Sequence, residues 1–314
     1  MIKIGIIGLG HMGGYHASVC ALLPHVQLVG VADPDPVSWT KVKNATVLKT
    51  KDYHDWIDLV DAVIIAVPTD LHYSVTKACL KKNKHVLLEK PLTKTIEEAI
   101  DLFALAQKNN CALHVGHVER FNGAVQELKK IIDQPYLIES HRMGPFASRV
   151  QHDSVVLDLM IHDLDIVLNL VNSPVKELTI HGTKVYSTSC DIASVHIAFE
   201  TGTIAHLVSS RAAQIKKRTM TIHQKNEFIS LDFTTQDIAI HRRASASVDI
   251  GTDRLKYKQE ATIEHLFVYK DNPLKLEVEH FIDSVKTKKN LHNPEQDLIA
   301  LNVTFDIERK LGLR

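Results

Sequence analysis

The sequence predicts an α/β protein in two parts, a doubly wound parallel sheet followed by a longer α/β part with a mostly antiparallel sheet. Three observations predict it. Short apolar runs alternate with helical patterns up to about residue 117, the rhythm of βαβ units. Beyond residue 120, several strands follow one another without intervening helices, as in an antiparallel sheet. At 314 residues the chain is long enough to bury two cores. The expected division is 1–118 and 119–314.

In the first part the strands are expected at Ile2–Ile7, Val26–Ala32, Ala62–Val67, His85–Glu89 and Ala112–Val115. Each is a nearly unbroken run of Val, Ile, Leu or Ala, as required when helices cover both faces of a strand. Helices are expected at Met12–Leu23, Leu71–Lys82 and Thr95–Asn109, with a shorter one at Asp52–Leu59. Thr95-Ile-Glu-Glu98 has the spacing of a capping box, in which the hydroxyl and carboxylate satisfy free amides at the helix start. In the second part, Gly123–Ile132 and Val155–Val171 read as helices and Tyr136–Arg142 as a strand. Between Val175 and Arg243 strands are expected at Asp191–Phe199, Thr203–Ser210, Thr219–His223 and Phe228–Phe233. Leu274–Lys288 and Pro294–Leu311 close the chain as helices.

Composition narrows the partners. The chain carries 37 basic and 37 acidic residues, a balance with no electrostatic footprint for nucleic acid or an anionic membrane. A local basic pocket for a phosphorylated substrate is compatible with it. Cys20, Cys79, Cys111 and Cys190 lie far apart without a CxxC pair, the pattern of reduced thiols in a cytosolic protein. The first apolar run, Met1 to Leu9, is too short for a signal peptide and contains Lys3. No stretch approaches the roughly 20 apolar residues of a membrane span. A cytoplasmic location is therefore expected.

Ile2–Ile7 runs directly into Gly8-Leu-Gly10-His-Met-Gly13 and then into a helix. A lone GxGxxG is weak, but this one has the strand before it and the helix after it that a dinucleotide site needs. Gly8 permits the tight turn, Gly10 lets a pyrophosphate approach the backbone, and Gly13 allows close helix packing. The helix start, at His11 and Met12, presents amides and partial positive charge to the phosphates. Asp33 follows 20 residues after Gly13, at the end of the next apolar run. A carboxylate there accepts the ribose hydroxyls and repels a 2′-phosphate, so the expected cofactor is NAD rather than NADP. The plain alternative is a turn at Asp33-Pro-Asp-Pro36.

Two further segments carry chemistry. Lys90 follows the strand that ends at Glu89, where a side chain at the carboxyl end of a parallel strand faces the ligand crevice. An ammonium there can polarise a substrate oxygen or relay its proton; the alternative is a surface lysine at a turn. In Val155–Leu168 apolar residues fall nearly all round the helix, yet Asp158, His162 and Asp165 are spaced i, i+4, i+7. That spacing puts them on one face, a stripe suited to a general base with a carboxylate partner. A polar network joining two domains would read the same way. A metal pair is conceivable there, but nicotinamide chemistry needs none, and no metal is expected.

Together these segments resemble the Gfo/Idh/MocA family of NAD(P)-dependent oxidoreductases over essentially the whole chain. The resemblance rests on Gly8-Leu-Gly10-His-Met-Gly13, Ala66-Val-Pro-Thr-Asp-Leu-His72, Glu89-Lys90-Pro91, Gly116-His-Val-Glu-Arg-Phe-Asn122 and Asp158-Leu-Met-Ile-His162, in that order. It implies an NAD-binding Rossmann domain and a C-terminal α/β domain on an open, mostly antiparallel sheet. It also implies that Val67, Pro68, Thr69, His72, Glu89 and Lys90 belong to the cofactor site, and that Lys90 and His162 face nicotinamide and substrate with Asp158 alongside. Whether Lys90 or His162 is the base stays open. Many relatives associate through the open sheet, which implies a homodimer or homotetramer. Two positions depart from the family pattern. Asn83 stands where glycine often precedes the Lys-His-Val-Leu run, and Gly123 replaces a proline that often follows Arg-Phe-Asn.

A narrower resemblance, to the UDP-N-acetylglucosamine 3-dehydrogenases, rests on Glu119-Arg-Phe-Asn122, Arg142-Met-Gly-Pro-Phe146, Arg149 and Asp158 to Asp165. It implies oxidation of a UDP-sugar at C3 to a keto sugar that is aminated in some bacteria for lipid A. Substrate contacts are then expected from Lys90, Arg120, Arg142, Arg149, Asp158 and His162, with Arg142 and Arg149 meeting the diphosphate. The alternatives are the same chemistry on a free sugar or polyol such as inositol or glucose, and a non-catalytic NAD-binding sensor or scaffold.

Overall fold

A computed structural model describes residues 1–147, 153–243, 261–289 and 291–314. The chain divides into two compact units, Met1–Phe121 with Asp271–Asn302, and Asn122–Lys270 with Val303–Arg314. The first unit thus regains the chain after residue 270, a return that no sequence pattern signals.

In the first unit the strands are β1 (Ile2–Ile7), β2 (Val26–Ala32), β3 (Leu48–Thr50), β4 (Ala62–Ile65), β5 (His85–Glu89) and β6 (Leu113–Gly116). Between them lie α1 (His11–Leu22), α2 (Thr69–Lys81) and α3 (Ile96–Lys108). All the pairings are parallel, in the order β3-β2-β1-β4-β5-β6. The order reverses between β1 and β4, and an open parallel sheet binds ligands outside the carboxyl ends of its strands at such a reversal. The expected helix at Asp52–Leu59 is instead two short 3-10 turns, Tyr53–Asp55 and Ile57–Leu59. Their purpose is visible in Trp56, buried between them. Its ring lies on Gly5 of β1 and Gly30 of β2, where any Cβ would come within 2.0 and 2.6 Å of it. At α3, Thr95 Oγ1 accepts from the Glu98 amide at 3.2 Å, while the Glu98 carboxylate accepts from Lys94 rather than Thr95. Asn83 ends α2 at φ +55°, the left-handed conformation that Asn tolerates in place of glycine. Helix α6 (Pro273–Thr287) lays Val278, Phe281 and Ile282 into the same apolar core as Ile4, Ile6 and Ala17.

The second unit opens with α4 (Gly123–Ile131), which Asn122 caps by accepting from the Ala124 amide at 3.1 Å. Next come β7 (Leu137–Met143) and α5 (Ile161–Val171), then β8 (Val175–Thr183), β9 (Ile192–Phe199), β10 (Ile204–Ser210), β11 (Lys217–Gln224), β12 (Glu227–Asp232), β13 (Asp237–Arg243) and β14 (Ala261–His265). The sheet runs β14-β13-β12-β11-β7-β10-β9-β8, antiparallel throughout except for β7 against β10. In β7 buried Ile138, Ser140 and Arg142 alternate with half-exposed Leu137, Glu139, His141 and Met143, so this strand buries one face. The last helix, α7 (Pro294–Lys310), begins in the first unit and ends in the second. The four cysteines are buried and unpaired. Among the described residues no helix is long and apolar enough to cross a membrane.

Candidate active site

In the first unit the expected cofactor residues gather at the carboxyl ends of the parallel strands: Gly8 after β1, Asp33 after β2, Val67 after β4 and Lys90 after β5. Gly8 has φ +88°, and a Cβ there would sit 2.5 Å from the Ala66 carbonyl oxygen. A Cβ on Gly13 would strike the Gly8 carbonyl at 1.9 Å, whereas one on Gly10 would meet nothing within 4 Å. Gly8 and Gly13 are thus demanded by the protein itself. Gly10 leaves open space at its backbone, as a phosphate cradle requires. Helix α1 has Gly10 as its N-cap and no side-chain cap, so its leading amides remain available to an anion. The Lys41 ammonium donates to the carbonyls of Leu9 and Gly10 at 2.6 and 2.9 Å, bracing the turn and adding positive charge beside it. The Asp33 carboxylate accepts from the amides of Leu9 at 2.7 Å and Asp35 at 2.9 Å. A carboxylate has about four acceptor sites, so these bonds fix its orientation and leave capacity for ribose hydroxyls. The turn, helix start and acid fit NAD.

Lys90 is half-buried, and the Lys90–Pro91 peptide is cis. The groups around its turn are the least expected part of the site. His72 is buried, with Nδ1 2.7 Å from the Pro91 carbonyl and Nε2 3.0 Å from that of Val67. Burial lowers its pKa, against the pull of those carbonyls. It ties the loop after β4 to the turn after β5. Glu89 is likewise turned inward, its carboxylate 2.8 Å from Nε2 of fully buried His16 on α1. Glu277 of α6 is buried, and neither carboxyl oxygen has a hydrogen-bond partner among the described residues. Desolvation and the Glu89 charge raise its pKa well above the usual range, with Arg120 opposing. Arg120 itself pairs with buried Asp297 at 2.8 Å, and Asp297 also bonds His292. The structure thus places Arg120, expected as a substrate cation, in an ion pair with Asp297. His114, stacked on His292, has its pKa pushed down to about 2 by desolvation and by neighbouring His292, His280 and Arg120.

Of the remaining first-unit residues, Val67, Pro68 and Thr69 form the turn into α2, His11 is exposed against Tyr15, and Met12 packs on the core. A cavity of about 750 Å³ lined by Ala17, Gln27, Lys41 and Leu48, among others, contains no glycine of the turn, nor Asp33 or Lys90.

In the second unit the expected helix from Val155 is not uniform. Val156–Met160 forms a π-helical turn that passes into α5. The wider i→i+5 turn breaks the α-helical spacing, and the three-residue stripe is divided. Asp158 and His162 are half-exposed, whereas Asp165 is buried and accepts from the Asn169 side chain at 3.1 Å. A carboxylate and an imidazole at the partly accessible end of an otherwise buried helix can still serve as orienting group and base. Arg142, expected to meet a diphosphate, lies in a buried ion pair. It is 2% exposed, and its Nε and Nη2 each donate at 2.9 Å to the two oxygens of buried Asp163. A forked pair of this kind is committed to the fold. Arg149 lies outside the described residues. Asp163, 21 residues from its partner, left no signal in the sequence. Glu277 left one, since it falls on the α6 face marked by Leu274, Val278 and Phe281.

Comparison with known proteins agrees with this geometry. Residues 2–117 match the model of an oxidoreductase family with an NAD-binding Rossmann fold, GFO/IDH/MocA, and residues 121–229 match a GFO/IDH/MocA C-terminal domain. The chain belongs to the GFO/IDH/MocA family. It is an NAD-binding oxidoreductase of the dehydrogenase type. It is 32% identical over 251 residues to the UDP-N-acetylglucosamine 3-dehydrogenase of Acidithiobacillus ferrooxidans, covering 79% of each chain. A solved structure of a protein of that name and organism superposes with a TM-score of 0.88 at 28% identity, over 98% of this chain and 96% of that one. The myo-inositol 2-dehydrogenase of Thermotoga maritima is 26% identical over 231 residues, 68% of this chain and 69% of the relative.

Proposed function

We propose that this dehydrogenase oxidises a ring hydroxyl of a sugar nucleotide, UDP-N-acetylglucosamine at C3 being the foremost candidate. The observation that carries the choice of substrate is the likeness to the Acidithiobacillus enzyme, greater in identity and coverage than that to the inositol enzyme. The product would be a 3-keto sugar nucleotide, a fit precursor for amination of the lipid A type. NAD, when bound, supplies the acceptor for the hydride that leaves the carbinol carbon. Its phosphates would be held by the amides following Gly8, Gly10 and Gly13, and its ribose by Asp33.

The hydroxyl proton must leave as the carbon is oxidised. His162 is the base in this proposal, because imidazole accepts a proton near neutral pH. Asp158 orients it or holds the substrate. Lys90 stabilises the negative charge that develops on the oxygen. Half-exposure of Asp158 and His162 and of Lys90 within their own units supports these roles. The protein is proposed to work in the cytoplasm as a homodimer or homotetramer associated through the half-exposed sheet face, a state that light scattering reads directly.

The test is a panel of UDP-sugars and free sugars or polyols, read by NADH formation. UDP-N-acetylglucosamine is expected to give a kcat/KM at least about tenfold above inositol or glucose, since remote binding energy raises that ratio. Turnover of free polyols alone would overturn the substrate assignment, and NAD binding without turnover of any sugar would favour a sensor.

A further inference from the structure

The second unit carries an exposed aromatic pair on an unusually rigid mount. Buried Asp191, just before β9, accepts the backbone amides of Val185, Tyr186 and Ser187 at 2.7, 2.7 and 2.9 Å. The loop between β8 and β9 is thereby wound around one carboxylate. Burial would raise the pKa of that acid, but hydrogen bonds from Ser187, the Val185 amide and Arg211 hold it well below the usual range. Buried Arg211 donates Nε to Asp191 at 2.6 Å and Nη2 to the Ser187 hydroxyl at 2.8 Å. Its guanidinium carbon lies 5.6 Å from the centre of the Phe146 ring, and that ring is 5.5 Å from the ring of Tyr186. Tyr186 nevertheless remains 56% exposed.

Such an arrangement fixes a ring in place while leaving it uncovered. The cation beneath Phe146 is neutralised by Asp191, so the pair, its rings tilted 52° to each other, offers aromatic faces with no net charge, suited to a planar heterocycle rather than a phosphate. Its position is telling. The Cys190 carbonyl, at the end of the same loop, accepts from the Val155 amide at 2.8 Å, three residues before Asp158. The aromatic loop and the turn bearing the proposed catalytic acid are thus joined within one unit.

We propose that exposed Tyr186, braced by Phe146, is the stacking platform for the uracil of a UDP-sugar, with Arg211 and Asp191 as positioning residues beneath it. This rests on the sugar-nucleotide reading above. It also supplies a nucleotide contact that Arg142, committed to Asp163, does not provide. Stacking of a base on an aromatic side chain is sequence-tolerant and substantial, and it discriminates a UDP-sugar from a free polyol.

The experiment uses the intact enzyme at saturating NAD, with UDP-N-acetylglucosamine as substrate and UDP as competing ligand. Tyr186→Ala and Phe146→Ala are expected to raise KM for the UDP-sugar and Ki for UDP in parallel, by about tenfold. Their kcat should stay within about twofold, since the contact is remote from the reacting carbon. Tyr186→Phe, which keeps the ring, should restore both constants. If the wild type oxidises the UDP-sugar and the alanine variants keep its KM and Ki, the platform is overturned and the function stands. If the wild type ignores UDP-sugars and UDP but oxidises free polyols, both fail. A change of oligomeric state with unaltered Ki would mark the pair as an interface and also overturn the platform.

Discussion

The two units treat buried ionisable groups in opposite ways. In the second, Arg142 pairs with Asp163 and Arg211 with Asp191, each cation forked onto a carboxylate or its neighbours. In the first, Arg120 and Asp297 make one such pair, but Glu277 and His114 are buried in environments that disfavour their charged forms. Burial raises the pKa of Glu277 and lowers that of His114, in each case toward the neutral form. The second unit therefore uses fixed charges to hold geometry, whereas the first buries groups whose surroundings favour the neutral form, near the residue that precedes Lys90. Stability should respond to charge removal in one unit and to pH in the other.

The largest effect is expected from breaking a fixed pair. Asp163→Asn would leave the Arg142 guanidinium buried opposite a neutral amide, a loss of about 3 kcal/mol, measured by chemical denaturation. A loss below about 1 kcal/mol would mean that Arg142 is more accessible to water than the structure shows. A smaller, pH-dependent effect is expected at Glu277. Its folded pKa lies above the unfolded value, so the stability it contributes is present at low pH and declines as pH rises from about 4.5 toward the folded pKa. Glu277→Gln does not titrate. Relative to wild type, the variant should gain stability as pH rises across that window, by at most about 1.4 kcal/mol per pH unit. A difference independent of pH would show Glu277 to be ionised in the fold.

The contrast also marks what the sequence made legible. Five of the six strands of the parallel sheet and the three helices between them follow from apolar runs and glycine spacing, as does the glycine turn with Asp33, whereas the three-residue edge strand β3 was not foreseen. Periodicity tells which face of a helix is buried but not what buries it. The return of α6 to the first unit and the pairing of Arg142 with Asp163 were for that reason unreadable. The π-helical turn at Val156–Met160 was equally hidden, because a run of apolar residues around Asp158 is compatible with either helix type. Gly5 and Gly30 held a usable signal, since glycine inside a strand marks close approach of another group. Trp56 is that group.

The account depends most on Lys90 and His162 acting in the oxidation itself. The direct measurement is the rate of NADH formation from UDP-N-acetylglucosamine in a single turnover by Lys90→Met and His162→Gln, with NAD affinity measured on the same samples. The account predicts that both variants bind NAD as the wild type does and that each forms NADH at least about a hundredfold more slowly. A wild-type rate in either variant, with NAD bound, would contradict it.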